Sequence, residues 1–110
     1  MSAILLCDRP FSDGALVLGN TACVFQEFAA EPGKQYALSC SARATSFASI
    51  TISYSDVGFN ALASSESAVP GTVFSTVTAT ESAPAGTSQG AVTLYADNSA
   101  VFDDCAVVEL

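Results

Sequence analysis

Residues 35–43 (QYALSCSAR) alternate strictly: Tyr36, Leu38, Cys40 and Ala42 share one face, and Ala37, Ser39, Ser41 and Arg43 share the other. Residues 48–55 (ASITISYS) do the same, with Ile50, Ile52 and Tyr54 opposite Ser49, Thr51, Ser53 and Ser55. A period of two over such lengths predicts strands with one apolar and one hydroxylated face. Shorter apolar or β-branched runs predict further strands at 2–7, 15–19, 22–28, 72–80, 88–96 and 100–110, with a weak edge strand at 61–68. Between them lie turn signals: residues 8–14 (DRPFSDG), Glu31-Pro32-Gly33-Lys34, residues 56–60, Pro70-Gly71, residues 81–87 and Asp97-Asn98-Ser99. Pro32 before Gly33 fits a type II turn. The outcome is eight to nine short antiparallel strands and no helix, the pattern of an all-β sandwich or barrel.

Composition narrows the class. The chain of 110 residues suits one domain, 1–110, and half of it is hydrophobic. Only 13% is charged, and the net charge is -8 with three cations, Arg9, Lys34 and Arg43. Nucleic-acid binding requires clustered Lys and Arg, so that class is excluded, and anionic membrane surfaces are disfavoured for the same reason. No apolar run is long enough to span a bilayer. The start, residues 1–7 (MSAILLC), lacks a basic region and a cleavage site and does not read as a signal peptide. The expected location is the cytoplasm, or outside the cell if the chain belongs to a larger exported protein.

No histidine is present, which excludes a Ser-His-Asp triad and a histidine zinc site within the chain. Paired-carboxylate glycoside hydrolysis needs two acids about 5–10 Å apart in a cleft. The acids Glu27, Glu31, Asp56, Glu66, Glu81, Asp97 and Glu109 are scattered over turns and edges. The chain therefore reads as a non-enzyme. Cys7, Cys23, Cys40 and Cys105 are far apart, with no C-x-x-C pair. Each lies in or beside an apolar run, which favours buried free thiols; the alternative is disulfides, which require an oxidising compartment.

Several passages, taken in order, resemble a known family. Gly14-Ala15-Leu16 then Val24-Phe25-Gln26, the hairpin from Glu31 to Ser39, Ala83-Pro84-Ala85-Gly86 then Val92-Thr93-Leu94-Tyr95, and the closing Val101-Phe102-Asp103-Asp104-Cys105 are similar to carbohydrate-binding modules of the family 4, 9 and 22 type. The resemblance covers about residues 12–110 and implies a jelly-roll β-sandwich that binds a polysaccharide or glycan without catalysis. It departs from the family in a short front end and in having no Trp. It also implies a structural Ca²⁺ near the closing strand, held by Asp103 and Asp104 with Asp13 or Asp8 opposite. Calcium takes six to eight oxygens. As adjacent residues of a strand, Asp103 and Asp104 are expected to face opposite sides.

Polar sheet faces supply the candidate ligand contacts: Gln26, Ser39, Ser41, Arg43, Thr51, Ser53, Thr93 and Tyr95. Val92 and Leu94 should point inward and turn Tyr95 out. The expected site is a shallow groove built on Gln26, Arg43, Thr51 and Tyr95. Phe25, Tyr36, Tyr54, Phe74 and Phe102 are expected in the core. Phe47 and Phe59 sit in loops, where aromatics are better placed for exposed contact, although packing under the loop is the favoured expectation for both. The rival reading is a structural or protein-interaction sandwich, with a protein partner or a homo-oligomer interface and no sugar.

Overall fold

Inward alternation in the two central strands organises the molecule. The computed structural model describes residues 16–19 and 22–110, with side chains from residue 25 onward. The strand expected at 2–7, together with Cys7, Asp8, Arg9 and Asp13, lies outside the described residues. Eight strands follow in order: β1 Leu16–Gly19, β2 Ala22–Phe28, β3 Gln35–Ala44, β4 Ala48–Ser55, β5 Ala61–Ala68, β6 Ser75–Ser82, β7 Gln89–Ala96 and β8 Ser99–Glu109. They form two antiparallel four-stranded sheets, β1-β8-β3-β6 and β2-β7-β4-β5. Each sheet takes a late strand between two early ones, the order of a jelly roll.

The core lies between the sheets. Leu38, Cys40, Ala42, Val77, Ala79 and Phe102 come from one side; Ile50, Ile52, Tyr54, Val92 and Leu94 come from the other. Phe28, Tyr36 and Tyr54 form an aromatic cluster, with Phe28 edge-on at 5.3 Å from Tyr36 and 6.4 Å from Tyr54. Buried aromatic hydroxyls need partners. The Tyr54 hydroxyl donates to the Glu81 carbonyl at 2.6 Å, and the Tyr36 oxygen accepts from the Glu31 N–H at 2.9 Å. Burial pushes the Tyr54 phenol up to about 12, with the nearby Glu81 charge adding to it. In the Glu31–Lys34 turn, Gly33 adopts φ +83°, the left-handed conformation that a type II turn requires.

Five expectations are corrected. The strand expected at 72–80 runs from Ser75 to Ser82, because its pairing with β3 ends at Ala42–Ser75. Phe74 is therefore not core: it is 45% exposed and lies beneath the Arg43 guanidinium, 4.9 Å from the ring centroid. Phe25 is only half-buried. The cysteines are not all free thiols, since Cys40 and Cys105 form a disulfide across β3 and β8.

The fifth concerns Asp103 and Asp104. The β3–β8 register slips between Ser39 and Ser41, opposite these residues, and Asp104 takes φ +52°. Such a β-bulge inserts one extra residue. Inward positions change from Ala100 and Phe102 before it to Cys105 and Val107 after it. Asp103 is left half-buried and Asp104 exposed, so neither enters the core. Strict alternation would have pointed Asp104 inward, and an unpaired buried carboxylate is far costlier than a bulge. Asp tolerates the left-handed region better than most residues, and its N–H donates to the Asp103 carboxylate at 2.9 Å.

Candidate functional site

The outer face of the β2-β7-β4-β5 sheet is assembled in rows by the pairing register. Phe25, Thr93, Thr51 and Glu66 form one row, and Glu27, Ala91, Ser53 and Ser64 form the next. Phe25 and Glu27 are two residues apart on β2 and therefore share a face. At the end of this face lies a groove of about 400 Å³, lined by Phe25, Glu27, Ser53, Ser55, Phe59 and Gln89.

Phe59 enters from the β4–β5 loop and is 71% exposed. Asp56 builds that loop: its carboxylate accepts from the N–H groups of Gly58 and Asn60, each at 2.9 Å, and its carbonyl accepts from the Phe59 N–H at 3.0 Å. The Asn60 bonds, followed by the Gly58 N–H, hold the Asp56 carboxyl below the usual carboxylate range. Phe59 itself sits at φ +63°. An aromatic residue in the left-handed region is strained, and such strain concentrates at functional sites. The loop thus holds an apolar ring in water above a sheet of hydroxyls.

A second aromatic spot lies further along the face. Tyr95 and Phe47 have ring centroids 6.1 Å apart, and the Tyr95 hydroxyl donates to the Asp97 carboxylate. That bond raises the Tyr95 pKa, with burial adding to it. Beside Tyr95 in the register, Ser49 is buried and donates to Glu66 at 2.8 Å.

The expected site residues do not all meet. Thr51 and Tyr95 share this face, and Tyr95 is turned outward as expected. Gln26 is 8% exposed and shares the inward phase of Phe28, so it does not belong to the polar face. Arg43 lies on the outer face of the opposite sheet, beside a separate depression with Thr45, Thr72 and Ser99. Sequence reasoning missed Phe25, Glu27, Ser55 and Gln89. It named Ser53 as a polar-face residue, but placed Phe59 in a loop and favoured its packing under that loop, whereas the ring is exposed. Asp103 and Asp104 sit at the β8 bulge, and no group of three or more potential metal ligands occurs among the described residues. Those two carboxylates alone do not complete a calcium shell.

No protein-family model matches the chain, and no curated protein matches it. Solved structures do. A structure described as "CBM4 structure and function" superposes with TM-score 0.69 and 16% identity over 91% of this chain and 74% of that one. A family 16 carbohydrate-binding module gives 0.66 and 17% identity over 86% and 74%. The chain shares the β-sandwich fold of these two structures. Tailspike protein 4 of bacteriophage CBA120, in its enzymatically active domain, gives 0.77 and 20% identity over 87% of this chain, which spans 15% of that one. Among the described residues, no helix is long and apolar enough to cross a membrane.

Proposed function

We propose that the chain is a non-catalytic carbohydrate-binding module that takes a glycan along the outer face of the β2-β7-β4-β5 sheet. The observation that carries this reading is Phe59, an exposed ring held at positive φ over a groove whose other walls are Phe25, Glu27, Ser53, Ser55 and Gln89. An apolar plate beside a few convergent hydrogen-bonding groups suits a sugar, which has an apolar ring face and a polar rim. The second aromatic spot supports a ligand longer than one ring: Ser49, beside Tyr95, is four residues from Ser53 along β4, roughly 13 Å at strand rise. The Cys40–Cys105 disulfide supports residence in an oxidising compartment.

Affinity electrophoresis and calorimetry against soluble polysaccharides test the reading. Phe59→Ala is expected to weaken binding about tenfold, equivalent to about 1.4 kcal/mol of lost ring contact. Because Phe59 packs on the surface, stability should stay within about 0.5 kcal/mol. Failure to retain any polysaccharide would end the carbohydrate reading. Concentration-dependent dimers in light scattering would then favour the interaction-domain reading.

The calcium ion belongs to the same proposal, with Asp103 and Asp104 supplying part of its six to eight oxygens. A cation bound only by the folded state raises its melting temperature. Melting in millimolar CaCl₂ should therefore occur several degrees above melting in EDTA, and superimposed curves would remove the ion.

A further inference from the structure

We infer that the groove beside Phe59 prefers a sugar carrying a protonated amine, a glucosamine-type unit, over its N-acetylated or acidic counterparts. The inference rests on the carbohydrate reading and adds the charge of the ligand to it. Glu27 carries the groove's carboxylate and is half-buried; Phe25, two residues away on the same face of its strand, and Phe59 line the same groove. It has no hydrogen-bond or ion-pair partner among the described residues. The other polar groups lining the groove, Ser53, Ser55 and Gln89, are neutral.

The described cations are placed elsewhere. Lys34 is bound to Glu31 at 3.1 Å and Glu109 at 3.4 Å, and Arg43 stacks on Phe74 across the opposite sheet. An ionised carboxylate only accepts hydrogen bonds, and an ammonium group only donates them. Such charge-assisted bonds are roughly twice as strong as neutral ones. Partial burial in the groove lowers the local dielectric and strengthens the attraction. The faces of Phe25 and Phe59 add cation–π attraction. A uronate would instead bring like charge to Glu27, inside a protein of net charge -8.

Calorimetry on the intact chain, with trisaccharides of glucosamine, N-acetylglucosamine and galacturonate, tests this at about pH 6, where amines are protonated and carboxylates are ionised. The amine form should bind about tenfold more tightly than the N-acetyl form, and the galacturonate most weakly. Glu27→Gln should abolish the amine preference, whereas Glu31→Gln, a surface acid outside the groove, should leave it intact. High salt should erode the preference in the unmodified chain. Equal affinity for the amine and N-acetyl forms, or a preference that survives Glu27→Gln, would overturn the inference while leaving sugar binding in place. Absence of binding by all three would count against the carbohydrate reading itself.

Discussion

Replacing both Cys40 and Cys105 with Ala is expected to lower unfolding stability by about 4 kcal/mol. The two residues are 65 positions apart in sequence. A cross-link closing a loop of that size removes about 4 kcal/mol of chain entropy from the unfolded state. Cys40 is also 1% exposed in the centre of the core, so removing its sulfur leaves a small void that adds to the loss. For a domain of this length the melting temperature should fall by roughly 15–30 °C. In urea, the reduced unmodified chain should lose most of the same stability, falling short of the variant only by the share of the void. A loss below about 1 kcal/mol would return these cysteines to the free thiols that their apolar surroundings alone suggest.

Gly90→Ala is expected to cost about 2–3 kcal/mol, because a β-carbon at this position would overlap the ring of Phe28. Elsewhere in a strand the same exchange would stabilise, since glycine loses the most backbone entropy on folding. Phe28 cannot easily yield, being packed edge-on against both Tyr36 and Tyr54. The clash therefore strains the aromatic cluster that backs the groove. Phe28→Ala is itself destabilising, but Gly90→Ala added to it should cost close to nothing. That non-additivity is the signature of a direct contact. If the two effects simply added in denaturant titrations, the Phe28–Gly90 packing would be refuted.

The same contact explains why part of the site escaped sequence reading. Residues 22–28 (ACVFQEF) carry apolar side chains in both phases of the alternation. Taken alone, the run allows either Phe25 or Phe28 to face the core. The ring of Phe28 occupies the space left open at Gly90, its Cα partner on β7. That choice puts Gln26 inside and turns Phe25 and Glu27 onto the groove. A glycine inside a strand signals close approach of another group, so Gly90 was the available clue. The closing strand shows a similar limit. Nothing local announces the bulge at Asp104; it follows from keeping a carboxylate out of the core while Cys105 reaches Cys40 on the neighbouring strand.

Local pattern was sufficient where a strand has one oily and one hydroxylated face. β3, β4 and the weak edge strand β5 all appear where the alternation or its turn boundaries predict them, and so do the turn at Pro32-Gly33 and the outward direction of Tyr95. These features depend on side-chain period and backbone preference, which neighbouring residues set among themselves. Tertiary structure decided the phase of β2, the disulfide, the separation of Arg43 from Tyr95 onto opposite sheets, and the meeting of Phe25, Glu27 and Phe59 in one groove. Each of these depends on which strands become neighbours, and chain segments distant in sequence acquire that relationship only when the two sheets close over a shared core.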